Sequence, residues 1–559
     1  MKADSSQSSA IRGGRGTGPA ANVASRLLEY LLAAVALCVG AIFITWPHAT
    51  MFASHVVSHI DPLFSMWRLG WFAHAIERGE NLLHANIFYP EPYAYLLSDA
   101  TFLQGAMAAP ALWIGVPLPA VYNALIALGI VSSGVALYWV AQSLGISRLA
   151  AAVAATVFSL APYRIEHINH LELQWAAPAA VVLGSLYQVL YAPRWRYGVL
   201  LGLALWLQFL ASVYYAVYLL PILIVLVAVS FVCTLPDARR TCYVGLLGTV
   251  LCAALTLPIA RLYMDQGTRV GARPSDDTAT YSATPWSYLA SPEENVLYGS
   301  THTLLGAQEK RSFPGAMALA LAVAGLLSHR RRVTVAALIV VLLSMELSFG
   351  VNSVIYSLLL DWWPGLRGLR APARYGIFVL AGVAMLAALG LERIAAGRSR
   401  RTAALLATIA IVVACVEYRS PQHHLWRVNL DPPVYRFLRQ LPAGVVVELP
   451  VPARSYLAGL DVDYLFWSTK HWRKLLNGYS GYYPPSYQAT LDRLHALPDP
   501  SSLAWLRERN VRYIIVHTYY LQNGEGAQFL SELLARAELR PLGSYGDWAG
   551  RALVFELTQ

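Results

Sequence analysis

Long apolar runs recur through the first three quarters of the chain, and short polar segments separate them. Eleven of these runs approach the ~20 residues that an α-helix needs to cross a bilayer. They lie at 27–46, 119–143, 149–162, 175–192, 198–212, 213–234, 242–262, 313–328, 333–350, 375–393 and 402–416. The pattern predicts an α-helical polytopic membrane domain over residues 27–417, with about 11 transmembrane helices.

A twelfth apolar run, Thr101–Leu118, contains two prolines, and the basic residues decide whether it crosses. If it stays on one side as a hairpin, the short basic loops all fall inside, where an excess of Lys and Arg is expected. These loops carry Arg148, Arg194/Arg196, Arg239/Arg240, Arg330–Arg332 and Arg398/Arg400/Arg401. We therefore predict a cytoplasmic N-terminus, a large first outer loop at 47–118 with juxtamembrane helices, and an extracytoplasmic C-terminus.

Composition supports a membrane protein and gives no reason to expect a nucleic-acid partner. Hydrophobic residues make up 57% of the chain and charged residues 13%, against about 25% charged in soluble domains. The net charge of +10 comes largely from short clusters between apolar runs. Residues 1–26 are rich in Gly, Ser and Ala and predict a disordered cytoplasmic tail. The expected location is the bacterial cytoplasmic (inner) membrane.

The texture of the sequence changes near residue 418. Valine- and isoleucine-rich runs at 445–449, 511–516 and 552–557 predict strands, and amphipathic segments at 432–440, 486–497 and 527–537 predict helices. This alternation indicates a C-terminal extracytoplasmic α/β domain over 418–559.

Two acids in the first outer loop are candidates for proton transfer. Asp61 follows the first predicted span, and Asp99 precedes the non-crossing hairpin. A carboxylate at the membrane surface can serve as a general base for an acceptor hydroxyl. The alternative for either is a solvated loop acid, and Asp61 followed by Pro62 also suits a helix N-cap.

The second outer loop concentrates ionisable side chains within seven residues: Glu166, His167, His170 and Glu172. On a helix, 166 and 170 would share a face. These groups could move protons, and Glu166, His170 and Glu172 could hold a divalent metal such as Mg or Mn. The spacing matches no strict metal signature. Two interpretations therefore stay open: a site for a divalent metal, or a polar bend of the chain at the membrane surface.

Three arginines, Arg367, Arg370 and Arg374, recur at helical spacing in a late outer loop. Arginine suits bidentate recognition of phosphate, and a lipid-linked phosphate or ordinary membrane lipid headgroups would supply the counter-charge. In the C-terminal domain, an aromatic, glycine-rich loop contains Asn477, Tyr479 and Tyr482. That loop suits sugar stacking, or else forms a structural turn.

Taken in order, these segments resemble a bacterial branch of the glycosyltransferase C superfamily that includes YfhO-like membrane proteins. The resemblance is carried by Asp61 with Trp67 and Trp71, Phe88-Tyr89-Pro90, Ser98-Asp99, Ala120-Val121-Tyr122-Asn123, Ser159-Leu160-Ala161-Pro162-Tyr163-Arg164, Phe313-Pro314-Gly315, Leu369-Arg370-Ala371-Pro372-Ala373-Arg374 and Asn477-Gly478-Tyr479-Ser480-Gly481-Tyr482.

The resemblance implies a polyprenyl-phosphate sugar donor and a glycan, lipid or protein acceptor. It places the essential acid at Asp61, with Asp99 as second choice and a further acid at Glu166 or Glu172. It assigns the lipid phosphate to Arg370 and Arg374. The implied reaction is an inverting single displacement on the outer side of the membrane.

Two other functions stay open on the sequence: a non-catalytic membrane assembly factor, and a lipid or polysaccharide transporter. Apart from Glu29 and Glu346, both near the ends of apolar runs, the predicted spans are almost free of charge. This counts against a proton-coupled carrier, which needs ionisable groups near the midplane.

Overall fold

A computed structural model describes residues 19–232, 235–271, 275–428, 431–454 and 459–558. Helices dominate as far as residue 417. They are α1 (Pro19–Thr45), α2 (Ile60–Arg78), α3 (Phe102–Trp113), α4 (Leu118–Ser143), α5 (Arg148–Leu160), α6 (Pro162–Glu166), α7 (Ala177–Tyr191), α8 (Trp195–Ala211), α9 (Val213–Val232), α10 (Ala238–Val270), α11 (Ser275–Thr280), α12 (Thr301–Leu305), α13 (Ala316–Gly325), α14 (Arg331–Ser348), α15 (Val354–Trp362), α16 (Pro364–Arg367), α17 (Gly376–Ala395) and α18 (Arg400–Glu417).

Every predicted span coincides with a helix: α1, α4, α5, α7, α8, α9, α10, α13, α14, α17 and α18. Among the described residues, seven stretches are long and apolar enough to cross a membrane: Val23–Thr45, Leu118–Ser143, Arg148–Glu166, Glu172–Tyr191, Val213–Val232, Ala238–Val270 and Pro372–Ala395. Two further apolar helices, α8 and α13, are shorter. The number of crossings stays a prediction.

The prediction of a disordered tail over 1–26 is wrong for its last residues. Residues 1–18 lie outside the described residues, whereas α1 already begins at Pro19. Proline suits the first position of a helix, where no backbone N–H is needed. The alanines that follow, Ala20, Ala21 and Ala24, have the highest helix propensity.

The most deeply buried helix is α17, whose residues are buried almost from end to end. It packs against α5, α13 and α14. Gly390 on α17 faces the backbone of α13 at Leu321, and Gly325 on α13 faces the backbone of α17 at Leu386, with no room for a Cβ at either glycine. Such small residues let apolar helices approach closely where the hydrophobic effect drives no association.

The first loop folds back onto this bundle through α2 and α3. With 12 residues, α3 is too short to cross a bilayer, and it packs against α2 and α4. The end of α10, which extends past its predicted limit at 262, supplies an anchor for the loop. The Tyr263 hydroxyl accepts a hydrogen bond from Ala100 N at 3.0 Å and donates one to Ser98 O at 3.3 Å.

The C-terminal part contains β2 (Leu425–Arg427), which pairs antiparallel with β1 (His55–Val57). The other strands, β3 (Val445–Leu449), β4 (Val511–His517), β5 (Leu539–Gly546) and β6 (Arg551–Leu557), form a sheet of order β3-β4-β6-β5. Only the β3–β4 pair is parallel. The helices of the C-terminal part are α19 (Pro433–Gln440), α20 (Asp461–Ser468), α21 (Pro485–His495), α22 (Pro500–Glu508) and α23 (Gly524–Leu534). The small β1–β2 sheet joins this part directly to the start of α2.

Candidate functional site

The candidate site is built around Asp61, in the first turn of α2. His59 stands just before this helix, and its Nδ1 accepts a hydrogen bond from the Asp61 backbone N at 3.2 Å. His59 is therefore the cap, and the alternative that Asp61 caps the helix is wrong. The Asp61 carboxylate is close to two imidazoles, and its Oδ2 lies 3.2 Å from His59 Nδ1. The same oxygen lies 3.1 Å from His170 Nε2, and the Asp61 side chain is 17% exposed.

His170 reaches Asp61 because the second loop is not one helix. The chain leaves α6 after Glu166 and turns, and only a short 3-10 segment at Glu172–Gln174 follows. The helical spacing considered for this loop is therefore wrong. His170 is buried, and its Nε2 also lies 3.7 Å from Glu309 Oε1. One imidazole thus stands between two carboxylates from distant loops.

Glu309 extends the site to an arginine of the late loop. Its Oε2 accepts a hydrogen bond from the buried Arg374 guanidinium at 2.9 Å. The guanidinium also lies over the Tyr214 ring, 4.5 Å from its centroid. Glu309 has a φ of 63°, a left-handed conformation that costs free energy in a non-glycine residue. Asp61, His170, Glu309 and Arg374, here called the Asp61 cluster, form one continuous chain of contacts.

Alternating charge sets the protonation states along the Asp61 cluster. Burial raises the pKa of Asp61, but the positive charge of His170 outweighs it and holds that pKa well below its usual range. Burial lowers the pKa of His170, and the charges of Glu309 and Asp61 reverse this and raise it above its ordinary value. Burial also raises the pKa of Glu309, whereas Arg374 and His170 lower it to about 2. Asp61 is therefore held ionised.

The three arginines of the late loop do not lie on one helix, although their spacing predicts it. α16 ends at Arg367, and a separate 3-10 turn over Pro372–Tyr375 carries Arg374. Arg367 is exposed and donates to the carbonyls of Leu360 at 2.9 Å and Asp361 at 3.1 Å, so it closes the end of α15. Arg370 is half-buried over the Tyr281 ring, 5.0 Å from its centroid. It forms no ion pair with any described residue, which leaves its charge available to an anion.

Asp99, the second candidate base, has structural contacts instead. Its Oδ2 accepts hydrogen bonds from Ser212 Oγ at 3.1 Å and from Val213 N at 2.9 Å, at the start of α9. Its backbone carbonyl accepts one from Arg68. Burial, with the negative charge of Glu172, raises the pKa of Asp99 to about 7. These contacts tie the first loop to α9, whereas Asp99 Oδ1 is buried and has no hydrogen-bond partner among the described residues, and the role of Asp99 as a base stays a prediction.

The residues weighed as metal ligands have separate partners. Glu166 Oε2 lies 3.3 Å from Arg311, and Glu172 Oε2 lies 3.1 Å from Arg68. His170 instead contacts Asp61 and Glu309. Within the described ranges, no group of three His, Cys, Asp or Glu side chains could hold a metal ion. Because these carboxylates are already paired with basic side chains, the residues do not fit a Mg or Mn ion.

His167 is buried behind His170. Its ring packs 4.5 Å from the Tyr163 ring and 5.8 Å from the His170 ring, measured between centroids. Neither ring nitrogen has a hydrogen-bond partner among the described residues. Burial and the positive charge of His170 hold the pKa of His167 well below its usual range. A neutral His167 is therefore a packing residue that backs His170.

The aromatic loop contributes one residue to the site. Asn477 accepts a backbone N–H of β3 at 2.8 Å and donates to a carbonyl of β3 at 2.9 Å, so its role is structural. The Tyr482 hydroxyl donates to Gly368 O at 2.6 Å and fastens this loop to the late loop. The Tyr479 ring packs edge-on against the Phe64 ring of α2, with centroids 5.3 Å apart, and burial and the charge of Asp61 raise the pKa of its hydroxyl.

Sequence reasoning missed Glu309. This acid stands in Gln308-Glu309-Lys310-Arg311, a mixed-charge stretch that is typical of a solvated loop. No spacing relates it to His170 or Arg374, because the contacts join separate loops. The one usable signal was that buried arginines in an outer loop need a negatively charged partner. That signal did not identify the acid that supplies the charge.

The charges of the Asp61 cluster predict a pH dependence of stability. The depressed pKa of Asp61 stabilises the fold above the ordinary carboxyl value near ~3.9, and this contribution is lost as the pH falls through the folded pKa. The raised pKa of His170 stabilises the fold below about pH 6.5, and this contribution is lost as the pH rises through the folded pKa.

His170→Gln should therefore lower the melting temperature most near pH 5–6 and less at pH 9. The exposed-histidine control His84→Gln should show no such trend. An equal loss from His170→Gln at every pH would contradict the charge assignment.

The described residues include several helices long and apolar enough to cross a membrane, and the chain has the fold of a solved glycosyltransferase. The chain is similar to the arabinofuranosyltransferase AftD from mycobacteria, with a TM-score of 0.60 and 14% identity over 95% of this chain and 40% of that one. A second AftD structure gives a TM-score of 0.59 and 16% identity, covering 96% and 41% of the two chains.

The chain thus spans less than half the length of AftD. The oligosaccharyltransferase of Archaeoglobus fulgidus aligns with a TM-score of 0.47 and 13% identity over 94% of this chain and 74% of that one, and the fold assignment rests on AftD. No protein-family model matches the sequence, and no curated protein matches it. Membership of the YfhO-like branch stays a prediction.

Proposed function

We propose that the chain is a glycosyltransferase that moves a sugar from a polyprenyl-phosphate-linked donor to a cell-envelope glycan, lipid or protein. The reaction would take place on the outer side of the bacterial cytoplasmic membrane. One observation carries the proposal: a partly exposed, ionised Asp61 is joined by three successive contacts, through His170 and Glu309, to a buried Arg374, and Arg370 precedes Arg374 by four residues in the same loop. In this proposal, a base and a phosphate-binding charge would share one site. The likeness to an arabinofuranosyltransferase supports sugar transfer as the chemistry.

The proposed reaction is a single displacement with inversion at the anomeric carbon. The Asp61 carboxylate takes the proton of the acceptor hydroxyl as that oxygen forms a bond to the anomeric carbon. The bond from this carbon to the lipid phosphate breaks, and the phosphate oxygen keeps the electron pair. His170 keeps Asp61 ionised before each turnover. Holding acceptor, base and donor in contact supplies much of the rate enhancement.

The two arginines have different tasks in this proposal. Arg374 is buried and paired with Glu309, so it fixes the shape and the charge balance of the cluster. Arg370 is half-buried over the Tyr281 ring and forms no ion pair with any residue that the structure describes. A guanidinium in this state can form charge-assisted hydrogen bonds to the leaving phosphate, where negative charge develops. We assign Arg370 to the lipid phosphate.

The assignment of Arg370 predicts a specific loss. Arg370→Ala should lower kcat/KM for the polyprenyl-phosphate sugar by roughly 10- to 100-fold, the usual effect of removing a charge-assisted hydrogen bond. The measurement is the initial rate of transfer at several donor concentrations, with purified protein in nanodiscs. Arg367→Ala is the matched control, because that side chain contacts only backbone carbonyls of α15 among the described residues. Equal losses in both variants would show that the effect is structural.

A further inference from the structure

A second cavity lies where the C-terminal part meets the start of α2, away from the Asp61 cluster. Its volume is about 330 Å³, within the range of small-molecule sites. Its walls are mainly aromatic, with one acid, Asp463, and one arginine, Arg427; the aromatic residues are Trp426, Trp467, Tyr519, Tyr520 and Trp548. Five aromatic rings around one concave surface need an explanation, because aromatic side chains bury large apolar areas when they can.

The rings of this cavity are held in place and partly open. Trp467 and Trp548 lie nearly parallel, with centroids 6.1 Å apart and an interplanar angle of 21°. At the rim, Trp426 is 38% exposed, Tyr519 54% and Tyr520 38%. Flat aromatic faces of this kind bind the C–H faces of sugar rings. Their cost in conformational entropy is low, since the buried rings are already packed.

Two polar groups stand among the rings. Asp463 is nearly buried and forms no ion pair with any residue in the part of the chain that the structure describes. Trp467 is 4% exposed, and its Nε1 has no hydrogen-bond partner there. A buried N–H without a partner costs free energy unless a ligand satisfies it. One acceptor and one donor in an aromatic cavity match the paired hydroxyl groups of a sugar.

A buried hydrogen-bond network fixes the floor of the cavity. His517 on β4 contacts Glu448 at 2.8 Å through Nε2 and Asp547 at 2.7 Å through Nδ1, and all three side chains are fully buried. Asp547 Oδ1 also accepts Ala549 N at 2.9 Å, which fixes the turn that carries Trp548. The His517 ring itself lies 4.5 Å from the Trp548 ring, between centroids. The network therefore orients Trp548 instead of opening to a ligand of its own.

The cavity is linked to the candidate active site through the start of α2. Leu63 lines it, two residues beyond Asp61 on the same helix. Trp426 lies on β2, directly opposite Val56 of β1, just before His59 and Asp61. The cavity and Asp61 therefore both border the start of α2.

We propose that this cavity binds a sugar unit of the acceptor glycan, stacked on Trp426 and Trp548 and hydrogen-bonded to Asp463 and Trp467. The assignment of this sugar to the acceptor rests on the proposed function, whereas the binding of a saccharide in the cavity does not. The aromatic cavity is then a positioning subsite, and it favours a glycan over a single sugar, lipid or protein as acceptor.

Binding of neutral oligosaccharides tests the proposal. The full chain in phosphatidylethanolamine nanodiscs is titrated calorimetrically with mannotriose, galactotriose and arabinofuranotriose. We expect saturable binding of at least one of them. Asp463→Asn and Trp426→Ala should each raise its Kd about tenfold, as expected for a lost hydrogen bond to a buried carboxyl group or a lost aromatic contact. Trp362→Ala, which removes a tryptophan that is 85% exposed on α15, should leave the Kd within about twofold.

Each contrary outcome overturns the inference. No saturable binding of the three sugars would do so, and so would binding that neither cavity variant weakens. If Trp426→Ala lowers stability in lipid while no sugar binds, the rim aromatics anchor the protein at the membrane surface instead. The Asp61→Asn variant should bind the sugar as the wild type does. Binding without transfer in the wild type would reject the proposed function alone, and transfer without binding would reject this inference alone.

Discussion

Replacing Asp61 by asparagine is expected to lower the rate of sugar transfer by about 10²- to 10⁴-fold, the usual contribution of a positioned general base. The amide keeps the shape of the carboxylate but cannot take the acceptor proton. His170 keeps its contact with Glu309 in this variant, so the loops should stay together. The measurement is transfer of radiolabel from a polyprenyl-phosphate sugar that the wild-type protein uses, with folding checked by size-exclusion chromatography and melting temperature.

The matched control for this variant is Glu293→Gln, which makes the same chemical change on a side chain that is 72% exposed. Its transfer rate should equal that of the wild type. A second comparison separates the base from its support. His170→Gln leaves the Asp61 carboxylate in place and should reduce transfer less than Asp61→Asn does. A folded Asp61→Asn variant with full activity would contradict the assignment of the base.

Removing Arg374 is expected to destabilise the fold by about 3–5 kcal/mol, the cost of breaking a buried ion pair. Arg374 is 3% exposed and Glu309 12%, so in Arg374→Met the Glu309 carboxylate stays buried, with His170 as its remaining ion-pair partner among the described residues. The measurement is the free energy of unfolding from denaturant titration in mixed micelles. The single-turn segment that carries Arg374 immediately precedes α17, the most buried helix. Removing the Arg374 side chain should therefore destabilise the packing of the whole helix bundle.

The double variant Glu309→Gln/Arg374→Met identifies the cause of that loss. If the cost comes from an uncompensated charge, neutralising Glu309 should restore a large part of the lost stability. Arg330→Met is the control, because it breaks a pair of the same type with Glu392 whose arginine is 40% exposed. That change should cost about 1 kcal/mol or less. Equal destabilisation of the single and double variants would show that packing of Arg374 on Tyr214 dominates.

Much of the helical fold was predictable because the information is local. Apolar runs of sufficient length mark each apolar helix, and Val- and Ile-rich runs mark β3, β4 and β6. β5 is one of the two edge strands of its sheet, and it was missed because its apolar pattern is broken. Pro541, Gly543 and Ser544 interrupt its apolar pattern, which an edge strand tolerates and a central one does not. The extra turns of α1 before residue 27 were missed because a Gly- and Ser-rich tail gave no apolar signal.

The candidate site was predictable only as a collection of parts. The distribution of basic residues among the loops predicted that Asp61, His170 and Arg374 lie on the same side of the membrane. The same reasoning also admitted Asp99, Arg367 and Asn477, which the structure uses to hold loops and strands together. Residue type and spacing cannot separate a carboxylate that caps α9 from one that faces an imidazole, because both are acids in a polar loop.

The sequence by itself determined that this is a polytopic helical membrane protein with a mixed C-terminal part, and it placed an acid, a histidine and arginines in the loops between. Hydrophobic length and period are local properties, and each segment carries its own. Only the tertiary structure decided that His170 lies between Asp61 and Glu309, that Arg374 neutralises Glu309, and that Arg370 stays without an ion pair among the described residues. These contacts join loops far apart along the chain, and packing of the helices brings those loops together.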